Sequence, residues 1–238
     1  MNKKIISSLL ALILLFSIST SVFAEDLASN TNDPYAPTVT YEQNGSLRAP
    51  NGIPITVSPS YSSLGVFVGN IGVDALDNVT VSGTATDYGA LAPKSGKVPA
   101  VVGKTFVWNV PMTKTTMVYD VKIKVIDGSG TRNLTGNARL EYSEAQLASL
   151  NWHKGSFVDR RKSLDHHFDK HKGEVGARNL YAYLLDAGTT REDAIANPND
   201  YNETESFGAT RAHKYKHKTN GKFVILADSG KGILSFGR

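Results

Sequence analysis

The stretch from 117 to 126 constrains the fold most. Met117, Tyr119, Val121, Ile123 and Val125 are apolar, while Asp120, Lys122 and Lys124 between them are charged. Successive side chains of a strand point to opposite faces, so a period of two buries one face and wets the other. Five further short runs are β-branched or alternating: 53–57, 65–69, 78–84, 105–110 and 132–142. Turns rich in Gly, Pro and Asp separate them. The pattern predicts an all-β antiparallel sandwich over residues 51–142, immunoglobulin-like in architecture only, since the chain has no cysteine to make a Cys–Trp–Cys signature. This half has no histidine. Asp74, Asp77 and Asp87 match no calcium-loop spacing, and aspartate is common in turns.

The 238 residues suffice for one large domain or two small ones, and 40% hydrophobic with 20% charged residues argues against wholesale disorder. The absence of cysteine excludes disulfides, thiol nucleophiles and thiolate metal sites. Lys3 and Lys4, the apolar run 5–18 and small residues at Val22 and Ala24 read as a signal peptide over 1–24, cleaved after Ala24. The run is short for a membrane span, so the expectation is a secreted protein with no stable membrane insertion after cleavage. Residues 25–50, rich in Asn, Thr, Ser and Pro, read as a flexible lead-in.

Ser143, followed by Gln146, is a capping pattern that opens a helical linker over 143–154. Beyond it the pattern turns from β to α and back. Residues 156–172 have helical spacing, ended by Gly173 and Gly176. A second helix is expected over 180–186, closed by Gly188, with a further turn near Thr190. Residues 197–208 read as a polar loop. Strands follow at 211–218, 222–228 and 232–236, the first two joined through Asn220-Gly221, a hairpin signal. The expected whole is two domains, the second a small α+β domain over 155–238 with N-terminal helices packed on an antiparallel meander. Residues 151–238 hold 15 Lys and Arg against 11 Asp and Glu, which suits a polyanionic partner.

The chemistry concentrates in one stretch. Residues 164–171 carry three of the six histidines. On a helical wheel Phe157, Leu164 and Phe168 form a seam within about 40°. His171 falls near the seam, His167 on its rim and Lys170 one step further out, while His166 faces away. Two imidazoles and an ammonium on one helix edge suit metal-free cleavage of RNA: one ring takes the 2′-hydroxyl proton, a second group protonates the leaving 5′-oxygen, and the cation offsets charge on the phosphorane.

The motif His167-Phe168-x-Lys170-His171, followed by Glu174-Val175-Gly176 and Tyr181, resembles the HFxKHxxEFG pattern of bacterial polymorphic-toxin RNase domains, which are similar to the barnase/EndoU/colicin/RelE nuclease group. Tyr215, then Asn220 to Ile225, then Gly232-Ile233-Leu234-Ser235-Phe236 resemble that group's closing meander. The resemblance covers about residues 155–238. It implies His167 and His171 as acid and base and Lys170 as a phosphate contact. Arg211 or Lys214 would hold phosphate, and Ser235 would hydrogen-bond it in place of the family's usual Thr. RNA would be the substrate, an immunity protein a possible partner, and no cofactor or metal is implied.

Other readings stand beside this one. The pairs His167/His171 and His213/His217 both have i, i+4 spacing. On a helix that suits zinc, but Phe168 stands where a zinc protease has glutamate. In a strand His213 and His217 would lie about 13 Å apart. The basic run 213–218 is either a solvated strand or a nucleic-acid groove with Tyr215 for stacking. As a whole, the alternative to an RNase is a non-enzymatic secreted protein whose basic domain binds an anionic surface or matrix.

Overall fold

The computed structural model describes residues 33–40, 46–48, 54–69, 74–128, 130–206, 208 and 210–238. The expected signal peptide over 1–24 lies outside the described residues. The fold is mostly antiparallel β-sheet with three α-helices among these residues.

Three sheets form. The first has the order β1-β9-β8-β5-β6. Its long pair is β8 (Thr116–Asp127) and β9 (Gly130–Glu141), in unbroken register from Thr116↔Glu141 to Asp127↔Gly130. Met117, Tyr119, Val121, Ile123 and Val125 of β8 are buried, and the charged residues between them are exposed, as the alternation predicts. β5 (Leu76–Ala85) pairs with β8 on one side and with β6 (Gly89–Val98) on the other. The second sheet has the order β2-β3-β4-β7, from β2 (Ser46–Arg48), β3 (Pro54–Pro59), β4 (Ser63–Val68) and β7 (Lys104–Asn109). Ile55, Leu64, Val66 and Trp108 of this sheet join Val79, Tyr119 and Ile123 of the first in one hydrophobic core.

β6 has no counterpart among the six runs read from the sequence. It is an edge strand carrying Pro93, and only Leu91 and Val98 along it are buried. Edges tolerate proline and lysine, so the hydrophobic alternation is missing. The lead-in differs from expectation too. β1 (Thr38–Thr40) pairs with β9, and the backbone around Tyr35 is tied down: Tyr142 donates to Tyr35 O at 2.8 Å, and Gln146 Nε2 donates to Pro34 O and Ala36 O at 3.1 and 2.7 Å.

The third sheet runs β10-β11-β12-β13: β10 (Tyr201–Ser206), β11 (Ala212–His217), β12 (Phe223–Ala227) and β13 (Ile233–Gly237). The expected loop over 197–208 therefore contains a strand. β10 is an edge with Tyr201 as its only buried residue, so it lacks a periodic signal. Three helices accompany this sheet: α1 (Glu144–Ser149), α2 (Arg160–Val175) and α3 (Leu180–Ala196). Asp159 caps α2, its Oδ1 accepting from Lys162 N at 2.7 Å, so the helix starts four residues later than its apolar spacing suggests. Gly176 closes it in the left-handed region at φ 73°. α3 is continuous where a stop at Gly188 was expected. That glycine is buried under the Tyr35 ring, and a Cβ there would strike the Tyr35 hydroxyl, so it serves close packing rather than termination. No helix of the described residues is long and apolar enough to cross a membrane.

The helical part is joined to the first two sheets by polar bonds. Asp165 of α2 accepts from Thr115 N (2.7 Å) and Thr115 Oγ1 (3.2 Å), and Lys114 pairs with Asp169. Leu180 N donates to Met112 O at 2.8 Å, and Tyr61 stacks on Tyr181 with ring centroids 4.1 Å apart. Burial holds the Asp165 carboxyl above its usual range, although the Thr115 bonds and Lys114 oppose this.

Candidate active site

α2 lies along β13, the edge of the third sheet. Leu164 and Phe168 are fully buried, and Phe168 meets Tyr183 of α3 edge-on at 5.5 Å. This fixes the helix about its axis and brings the neighbouring residue, His167, to the rim over the sheet. One turn on, His171 enters the seam and is 6% exposed. His166 and Lys170 are exposed. The order of burial, His171 then His167 then Lys170, follows the wheel, whereas the ring of His166, expected to face away, lies 5.0 Å from Phe157.

The register of the sheet supplies the other side. Thr204, Lys214, Ile225 and Ser235 pair in succession across β10, β11, β12 and β13, so their side chains share one face. The opposite face, with Tyr215, Val224 and Phe236, belongs to the core packed on α3. His167 reaches over the edge onto the first face, where its Nδ1 and Ser235 Oγ lie 3.1 Å apart in a hydrogen bond. Its Nε2 is left for another partner. The His171 ring lies parallel to His167, 6.1 Å away between centroids with an 8° interplanar angle. Glu174 Oε2 accepts from His171 Nδ1 at 2.8 Å and from Arg238 N at 3.3 Å, and the His171 bond is the main reason its carboxyl lies below the usual range. The carboxylate thus fixes the ring's orientation through Nδ1 and leaves Nε2 outside this bond. Phe223 meets His171 edge-on at 5.6 Å, and Lys214 Nζ sits 3.9 Å over the Phe223 ring, so this ring links the histidine to a cation.

Burial lowers the pKa of His167 to about 4, and the neighbouring His166, His171 and Lys170 push in the same direction. At neutral pH this ring carries no charge, so one nitrogen keeps its lone pair, although burial makes it a weaker base than a free imidazole.

The cleft next to His167 has a volume of about 210 Å³. Ser235, Ile225 and Ala212 line its sheet side, and Gly155, Ser156 and Phe157 line the opposite wall. Phe157 was expected within the helical seam. It instead precedes α2, because the helix begins only after the Asp159 cap, and its ring lies 5.8 Å from that of His167.

The structure therefore brings His167, His171, Ser235 and Lys214 together, with Lys170 exposed on the same helix. The two other expected substrate-binding residues, Tyr215 and Arg211, take other partners. Tyr215 is one residue out of phase with Lys214, so it points into the core face. There it is 9% exposed, and its hydroxyl donates to Glu203 Oε1 at 3.1 Å, which leaves no free ring face for a base. Arg211 precedes β11, is exposed and pairs with Asp228 at 3.4 Å. His213 lies between Glu203 (2.9 Å) and Asp228 (3.4 Å), whereas His217 packs on Tyr201 at 5.0 Å, so the two take separate partners. Among the described residues no three His, Asp or Glu side chains form a group able to hold a metal ion. Glu174 has no role of its own in the sequence motif, though its i+3 spacing to His171 signals the contact. Ser156 and Phe157 reach the cleft on a loop, which only the Asp159 cap signals locally.

No protein-family profile matches the chain, and no curated protein matches it.

Proposed function

We propose that the chain cleaves RNA by metal-independent transesterification on the open face of its third sheet. One observation carries the reading: a neutral imidazole, His167, hydrogen-bonded to Ser235 and stacked parallel to a second, carboxylate-oriented imidazole, His171, beside a sheet row that carries Lys214. In this mechanism His167 Nε2 takes the proton of a ribose 2′-hydroxyl. The 2′-oxygen attacks phosphorus, the bond from phosphorus to the 5′-oxygen breaks, and His171 gives that oxygen a proton. The products are a 2′,3′-cyclic phosphate and a 5′-hydroxyl. Lys214 and Lys170 offset charge on the phosphorane, and Ser235 holds the His167 ring and a phosphate oxygen. Each proton transfer contributes about 10²- to 10⁴-fold in rate.

The wider reading follows the sequence resemblance. An exported immunoglobulin-like β-sandwich carries a toxin-like α+β nuclease domain, and a partner protein shields the producing cell. The test is incubation of the full chain with labelled RNA in excess chelator. Cleavage is expected, with His167→Ala and His171→Ala each slower by at least about 10²-fold. Full activity in both variants would remove the mechanism.

A further inference from the structure

We infer that the cleft beside His167 binds one unpaired nucleobase stacked on Phe157, which makes single-stranded RNA the substrate; this rests on the ribonuclease reading above. Phe157 is presented by a turn rather than by a helix. Gly155 N donates to His153 Nδ1 and Phe157 N to Lys154 O, both at 3.0 Å. Gly155 adopts φ 58°, and a Cβ there would come within 3.2 Å of Leu234 of β13. The turn is thus packed against the sheet, and the half-buried Phe157 ring is held at the cleft wall near His167.

The character of the cleft decides between a base and a phosphate. None of its described lining residues is Lys, Arg, Asp or Glu. A phosphate inside it would meet no countercharge, whereas a base needs an aromatic face and a few polar groups for its edge. Ser156, Ser206 and Thr210 supply hydroxyls around the cavity. Lys214 does not line the cleft, and its ammonium lies over Phe223. The sheet row thus runs from Ser235 and Ile225, which line the uncharged pocket, to Lys214 outside it, and the phosphate next to a bound base falls on that side. The 210 Å³ volume is below the roughly 300–1,000 Å³ of drug-sized sites, which suits one ring system. A base within a duplex has both faces stacked and its edge paired, so it cannot enter without being extruded.

The test uses the full chain, a labelled single-stranded RNA and the same RNA annealed to its complement, with Phe157→Ala and Phe157→Tyr compared with the unaltered protein. The single strand should be cut at least about tenfold faster than the duplex. Phe157→Ala should raise KM roughly tenfold with little change in kcat, and Phe157→Tyr should restore it. Equal cleavage of duplex and single strand would overturn the inference. So would an unchanged KM in Phe157→Ala, or a loss confined to kcat. If the unaltered chain cuts neither RNA, the ribonuclease reading fails separately. Fluorescence anisotropy with a single-stranded 2′-deoxy oligonucleotide then decides the pocket: weaker binding by Phe157→Ala sustains it, and equal or absent binding overturns it.

Discussion

The pKa of His167 ties stability to pH in a way that one substitution isolates. An imidazole in the unfolded chain titrates near the ordinary 6.5, but burial and three neighbouring basic groups lower it to about 4 in the fold. The folded state therefore resists a proton that the unfolded state accepts. His167's contribution is fully present above the unfolded pKa and is lost as pH falls from about 6.5 toward about 4. A tenfold difference in proton affinity between the two states is worth about 1.4 kcal/mol. The change between about pH 7 and about pH 4.5 therefore has an upper bound of roughly 2 kcal/mol, lowered by solvent at the partly exposed ring. His167→Gln keeps a polar side chain and removes the titration. Urea denaturation of both proteins at the two pH values measures the effect. The unaltered protein should lose about 1–2 kcal/mol more than the variant on acidification. Equal losses would refute the reasoning, because His167 would then bind protons equally in both states. The same low pKa places the acid limb of kcat/KM near pH 4 rather than near 6.5.

Three other substitutions probe the geometry. Ser235→Ala removes the 3.1 Å bond to His167 and should lower kcat about tenfold, while Ser235→Thr keeps the hydroxyl and most of the rate, both read by RNA cleavage. Lys214→Ala should weaken RNA binding and flatten its salt dependence, whereas Tyr215→Phe, altered only on the core face, should leave both unchanged in a salt titration. Asp165→Ala strands the Thr115 N–H and hydroxyl at the junction of helix and sheet, and should cost about 1–3 kcal/mol in chemical denaturation.

The parts of the fold legible in the sequence are those whose two faces differ in polarity. β8 alternates strictly because one of its sides faces the hydrophobic core and the other meets water. The placement of His167 and His171 on α2 was read from a seam of Phe157, Leu164 and Phe168; Phe157 lies outside the helix, but the buried pair Leu164 and Phe168, one turn apart, is enough to fix its rotation. Edge strands were not legible. β6 and β10 bury too few side chains to alternate, and their charges and proline protect the sheet edge instead. Gly188 resembled a helix stop because contact with Tyr35, distant in sequence, cannot be read locally. Tyr215 and Lys214 could have been separated by strand parity, because adjacent residues of one strand cannot both face the same groove. Ser235 entered only through resemblance to a nuclease pattern; its bond to His167 spans 68 positions and has no local signal. Phe157 reached the cleft because the Asp159 cap starts the helix only after it, a local signal outweighed by apolar spacing.

The chemistry of the cut ends tests the central claim most directly. The full chain is incubated in chelator with an RNA carrying a defined cleavage site, and with the same RNA bearing a single 2′-deoxy nucleotide at that site. Attack by the 2′-oxygen predicts 2′,3′-cyclic phosphate and 5′-hydroxyl ends from the first substrate, no cut at the modified site in the second, and loss of the products in His167→Ala. Intact RNA, 5′-phosphate ends, or cleavage of the deoxy-substituted site would contradict the account.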